Sequence, residues 1–242
     1  MILHSKVLGE GSPIIFLHTG LQTGETDFSF QQNYFKGQYK IVVVDLRGHG
    51  KSRVDQLDIH KYFDEAAIDV WETMNDLGLG KAHIVGCSLG GLVGLRFAKM
   101  FPDRLISLTL SGITPEKPSN WEEMRQLDVR MQKAVLENKE AGIYFDSIHE
   151  SDWREFLKQS MVEDWYPFNE TRDVSTLSCP TLFIVGEEKK HEVVGAIQYP
   201  IQNEQIHVAI VPFAGHLVHS EQPEVYTSHL NLFIRKVEES SL

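Results

Sequence analysis

Six short apolar runs rich in β-branched residues recur along the chain, at residues 14–17, 41–44, 83–85, 106–110, 181–185 and 207–211. Several carry no polar alternation, the pattern of strands covered by helices on both faces of a parallel sheet. The intervals between them have a different period. Ala67, Val70, Trp71, Met74 and Leu77 recur at helical spacing, with Asp64 placed to cap that helix and Gly78 to stop it. Residues 88–100 hold Leu89, Leu92, Val93, Leu95, Phe97 and Met100 ahead of Pro102, which predicts a largely buried helix. Residues 223–236 put Val225, Leu230, Leu232 and Phe233 on an interrupted apolar face, predicting a last helix against the sheet. Strands alternating with helices in this way predict an α/β fold with a mostly parallel, twisted sheet.

Residues 114–172 break the rhythm. They are rich in Trp, Met, Phe, Tyr and acidic residues, and they are too long for an ordinary link between neighbouring elements. Within them residues 121–140 read as helix, with Met124, Leu127, Met131 and Val135 on one face. The expectation is one domain over residues 1–242, with 114–172 inserted as a small helical cap over a pocket. A pair of elaborated crossover helices is the alternative.

Composition narrows the partners. A chain of 242 residues, 42% of them hydrophobic, suits one large core. Its 23 Lys and Arg against 34 Asp and Glu give a net charge of −11, which disfavours nucleic acid and anionic membranes as partners. The longest apolar runs have strand length, whereas a membrane helix needs about 20 residues. The first apolar segments are short and broken by Glu10, Gly11 and Pro13, so a cytoplasmic location is expected. Cys87 and Cys179 form neither a disulfide framework nor a metal knuckle. His216 and His219 lack a third ligand, and no phosphate-binding glycine loop is present, so no metal or cofactor is expected.

The strongest chemical signal is Gly86-Cys87-Ser88-Leu89-Gly90, directly after a strand and opening a helix. This is the G-x-S-x-G nucleophile elbow in the context it requires. A sharp turn projects the Ser88 hydroxyl, small residues leave room for the crossing backbone, and the Leu89 N–H at the helix start can hold a developing negative oxygen. The elbow registers Ser88 at its centre and turns Cys87 elsewhere, into packing. Together with Asp45-Leu46-Arg47-Gly48-His49-Gly50-Lys51-Ser52, these residues make the chain resemble the α/β-hydrolase superfamily, in particular its small capped serine esterases, over nearly its whole length.

That resemblance implies further residues. His18-Thr19-Gly20-Leu21 is similar to the superfamily's oxyanion loop, with Leu21 favoured over Gly20 as second N–H donor. Gly215-His216-Leu217 resembles its catalytic-histidine loop, making His216 the general base. Arg47 and His49 are assigned structural work. The family's acid would stand three residues beyond Gly186, where this chain has Lys189. Glu188 is taken as the acid, with Glu187 and Glu192 as alternatives. The implied activity is hydrolysis of a small-molecule carboxylic ester through an acyl-enzyme on Ser88. A ligand receptor of the same fold, a lyase and an acyltransferase are the alternatives.

Overall fold

A computed structural model describes residues 1–240. Its elements run β1 (Ser5–Leu8), β2 (Pro13–Leu17), α1 (Ser29–Phe35), β3 (Lys40–Val44), α2 (Tyr62–Asp76), β4 (Ala82–Cys87), α3 (Leu89–Met100) and β5 (Leu105–Ser111). Four helices follow, α4 (Trp121–Glu137), α5 (Lys139–Ile148), α6 (Trp153–Ser160) and α7 (Phe168–Thr171). The chain then returns through β6 (Thr181–Gly186), α8 (Lys190–Gln202), β7 (Ile206–Val211), α9 (Val218–Glu221) and α10 (Pro223–Ser240). The strands form one sheet in the order β1-β3-β2-β4-β5-β6-β7, parallel throughout except for β1 against β3.

Two cores explain why β2 and β3 lack polar alternation. Ile15, Leu17, Val42, Val44 and Ile84 point into one cluster, shared with α2 and α3. Ile14, Phe16, Ile41, Val43 and Val85 point into the other, shared with α1 and α10. Successive side chains on a strand face opposite ways, so a strand covered on both sides is apolar at every position.

The helices depart from expectation in detail. Helix α2 begins at Tyr62, because Tyr62 and Phe63 are themselves buried, so Asp64 lies inside the first turn and pairs with Arg96 at 2.6 Å instead of capping. Helix α10 buries Tyr226, Leu230, Phe233, Ile234 and Val237, while Val225 and Leu232 face outward. In the insertion, Leu127 and Met131 of α4 are half exposed, because α4 packs against α5 and leaves that stripe outside the core. Trp121 and Trp153 instead anchor the insertion as buried residues. Among the described residues, no helix is long and apolar enough to cross a membrane.

Candidate active site

The site forms at the C-terminal ends of the parallel strands, where open α/β sheets bind ligands. Ser88 links β4 to α3 with φ 54° and ψ −117°, a backbone conformation that costs roughly 1–3 kcal/mol for a residue with a Cβ. Its N–H donates to Ser111 O at 2.9 Å, and its carbonyl accepts from Leu92 N–H at 3.0 Å. The glycines are steric necessities: a Cβ on Gly86 would strike Gly90 O, and one on Gly90 would strike Leu17 O.

His216 comes from the loop between β7 and α9, and its Nε2 lies 2.9 Å from Ser88 Oγ. On its far side Nδ1 lies 2.6 Å from Glu192 Oε1. Glu192 is 1% exposed and sits in the first turn of α8. The expectation of Glu188 is therefore corrected: Glu188 is solvent-exposed, and its backbone N–H donates to Ala214 O at 3.1 Å. Glu187 lies in the same turn and accepts from Phe213 N–H at 3.2 Å. The displacement has a physical reason. The chain turns into helix directly after Lys189, which points the first helical turn, and with it Glu192, back toward the His216 loop. Glu221, which sequence reasoning missed, fixes that loop by accepting from Gly215 N–H at 2.6 Å and Leu217 N–H at 2.9 Å, on either side of His216.

A second wall of the site is the turn after β2. Gln22 N–H donates to Thr19 O at 3.1 Å, and Leu21 takes φ 62° while Gly20 does not take a positive φ. This is the sign pattern of a type II turn, with Leu where glycine is usual, at a strain of roughly 1–2 kcal/mol. Among the described residues, neither the Leu21 nor the Leu89 N–H has a backbone acceptor. Both residues line a cavity of about 460 Å³ together with Ser88 and His216. Phe156, Leu157 and Ser160 of α6 and Gln132 of α4 also face it, so the insertion forms part of its wall.

Asp27, also missed from sequence, anchors this turn. One carboxylate oxygen accepts from Thr19 N–H at 2.8 Å, and the other lies 2.7 Å from His219 Nε2. Burial pushes the Asp27 carboxyl up, but the hydrogen bond and charge of His219 and the Thr19 N–H outweigh it and hold it at about 2. Leu46 N–H donates to His18 Nε2 at 2.8 Å, so the His18 proton is on Nδ1 and is given to Thr19 O at 2.8 Å. Arg47 bonds Asp69 at 2.7 Å and also pairs with Glu65, outside the cavity. Cys87 is buried, and burial pushes its thiol well up, away from the thiolate a nucleophile needs. A second serine–histidine contact, His83 Nδ1 to Ser107 Oγ at 2.7 Å, joins neighbouring strands within the buried sheet and lacks an elbow. Among the described residues, no three His, Cys, Asp or Glu side chains are gathered as metal ligands.

An elbow serine at the end of a central parallel strand, paired with a histidine from a later loop, defines a serine-nucleophile α/β protein. Residues 12–141 match the family model described as alpha/beta hydrolase fold, and the chain belongs to that family. Among curated relatives, it is 29% identical over 196 residues to serine hydrolase BPHL of Mus musculus, covering 77% of this chain and 66% of that protein. It is 23% identical over 249 residues to the dihydrolipoyllysine-residue acetyltransferase component of the acetoin cleaving system of Pseudomonas putida, covering 93% and 64%. The chain thus spans just under two thirds of the length of these relatives. Among solved structures, NosK from Streptomyces actuosus superposes with a TM-score of 0.82 at 28% identity, covering 95% of this chain and 100% of that one. A thermophilic esterase from Thermogutta terrifontis gives 0.72 at 25% identity, covering 97% and 93%.

Proposed function

We propose that this protein is a serine hydrolase that cleaves small carboxylic esters, with Ser88 as nucleophile, His216 as general base and Glu192 as the acid that orients it. The observation that carries this reading is the unbroken relay Ser88 Oγ to His216 Nε2 at 2.9 Å and His216 Nδ1 to Glu192 Oε1 at 2.6 Å. The buried carboxylate draws the ring proton to Nδ1, which leaves Nε2 free to accept from Ser88. The serine oxygen bonds to the ester carbon as its proton passes to Nε2, and the Leu89 and Leu21 N–H groups receive the negative carbonyl oxygen. Collapse expels the alcohol, which takes the proton from His216. A water then gives His216 a proton, attacks the acyl carbon and releases the carboxylic acid, returning the proton to Ser88.

A cavity of about 460 Å³ suits a small substrate. The serine hydrolase and esterase named among its relatives support the same chemistry. In this reading residues 114–172 act as a cap within one domain, and the protein works in the cytoplasm without a metal or cofactor. The acid at His216 favours turnover over a receptor role. The test compares matched p-nitrophenyl esters, thioesters and lactones after titration with a fluorophosphonate. Stoichiometric labelling with fastest turnover of short esters is expected. Labelling without turnover of any of the three would refute the hydrolase reading.

A further inference from the structure

The insertion grips the active site through His149, which the reaction scheme does not use. This residue ends α5 and is 7% exposed. Gly50 N–H donates to its Nδ1 at 2.8 Å, so Nδ1 is an acceptor and the ring proton is on Nε2. Nε2 lies 3.0 Å from Leu21 O and donates to it. Burial favours this neutral form by pushing the ring's pKa down, against the pull of the Leu21 carbonyl and the Asp45 charge. The ring cannot swing away easily, being edge-on to His49 at 5.6 Å and stacked on Phe145 at 6.0 Å. The adjoining backbone is tied down as well, through Glu150 N–H to Gly50 O at 2.8 Å and Val54 N–H to Ser151 Oγ at 3.0 Å.

The turn that carries the Leu21 N–H is thus tethered from two sides. Asp27 and His18, in the loop between β2 and α1, hold its start at Thr19. His149 holds its far end at Leu21 O, from the insertion. The Leu21 backbone, at φ 62°, lies between these anchors. We infer that His149 is a positioning residue that sets the oxyanion donor Leu21 from the insertion, so that transition-state stabilisation depends on how the insertion is seated. This inference rests on the serine-hydrolase reading above. It assigns His149 no contact with substrate. Its loss is expected to lower kcat and leave substrate binding in place.

The test uses His149→Asn and His149→Gln in the full chain, with kcat counted per fluorophosphonate-titrated site so that unfolded protein does not enter. The shorter amide of Asn still offers an oxygen to Gly50 but stops short of Leu21, whereas the Gln amide reaches Leu21 with a donor. His149→Asn should lower kcat about 10- to 100-fold at unchanged KM, less than the roughly 10²–10³-fold cost of deleting an oxyanion donor. A boronic acid that mimics the tetrahedral species should lose affinity by the same factor, the carboxylate product should lose none, and His149→Gln should recover most of the rate. Should His149→Asn not fold, His149→Phe, which keeps the packing on Phe145 and removes the donor, is read in its place. Parental kcat in the donor-less variant, or a loss confined to KM, overturns the inference alone. A parent that the fluorophosphonate does not label overturns the hydrolase reading and this inference with it.

Discussion

Exchanging Glu192 for Gln probes the relay at its least exposed point. The carboxylate is 1% exposed, bonds His216 Nδ1 at 2.6 Å through Oε1, and among the described residues has no partner at Oε2. An amide there has two orientations. With its oxygen toward His216 it keeps the correct tautomer but loses a charge-assisted hydrogen bond, worth roughly 1.5–3 kcal/mol or about 10- to 150-fold in rate. With its NH2 toward His216 it forces Nδ1 to accept, moves the ring proton to Nε2 and removes the base from Ser88, at a cost approaching 10⁴-fold. No protein donor or acceptor among the described residues meets the Oε2 position, so no protein contact there selects the harmless orientation. The expected loss in kcat for Glu192→Gln therefore lies between about 10-fold and about 10⁴-fold. Glu188→Gln, at an exposed position, should stay within about twofold of the parent. The assay is steady-state hydrolysis of p-nitrophenyl acetate per titrated site, with near-UV circular dichroism to confirm folding. A folded Glu192→Gln enzyme with parental kcat, or a large loss confined to Glu188→Gln, would refute the assignment of the acid.

Two further changes follow from the strain and charge around the site. Ser88→Gly should abolish turnover, as should Ser88→Ala, yet be about 1 kcal/mol more stable to unfolding than Ser88→Ala, because glycine adopts φ 54° without a Cβ penalty; an equal or lower stability than Ser88→Ala in urea titration would contradict this. Asp27 is held at about 2 against an ordinary 3.8, so the unfolded chain takes up its proton first as pH falls. Its contribution of roughly 2 kcal/mol is complete above the unfolded value and is lost as pH falls toward the folded one. Asp27→Asn should thus be less stable than the parent at pH 7, with the gap closing between about pH 4 and 2, and a gap independent of pH in urea melts would exclude this role.

The sheet was readable because strands covered on both faces carry unbroken apolar runs, as residues 41–44 and 182–185 show. The first strand was not. Ser5–Leu8 lies at the edge, pairs only with β3 and carries the charged Lys6, so its four residues give no apolar run. Ser88 and His216 could be singled out as candidates because each sits in a local motif tied to a strand end. Glu192 was not resolved from its neighbours because the acid was sought in the turn after β6, before the helix. A signal was present in the spacing: Glu192, Gly195, Ala196 and Tyr199 are all buried on one face of α8, so the proposed acid heads an apolar helical stripe. Pro200 near the end of that helix and the charged run before it mask the period. Asp27 and His149 leave no local trace, since their partners, His219 and Leu21, lie 192 and 128 residues away.

The central claim is that Ser88 carries the acyl group. Rapid quenching of the parent with a slowly deacylating p-nitrophenyl ester, followed by peptide mass spectrometry, reads this directly. The predicted result is a stoichiometric acyl adduct on the peptide holding Ser88, formed as fast as the p-nitrophenol burst and absent in Ser88→Ala. Turnover with no adduct on Ser88, or an adduct on Cys87 formed at the burst rate, would contradict it.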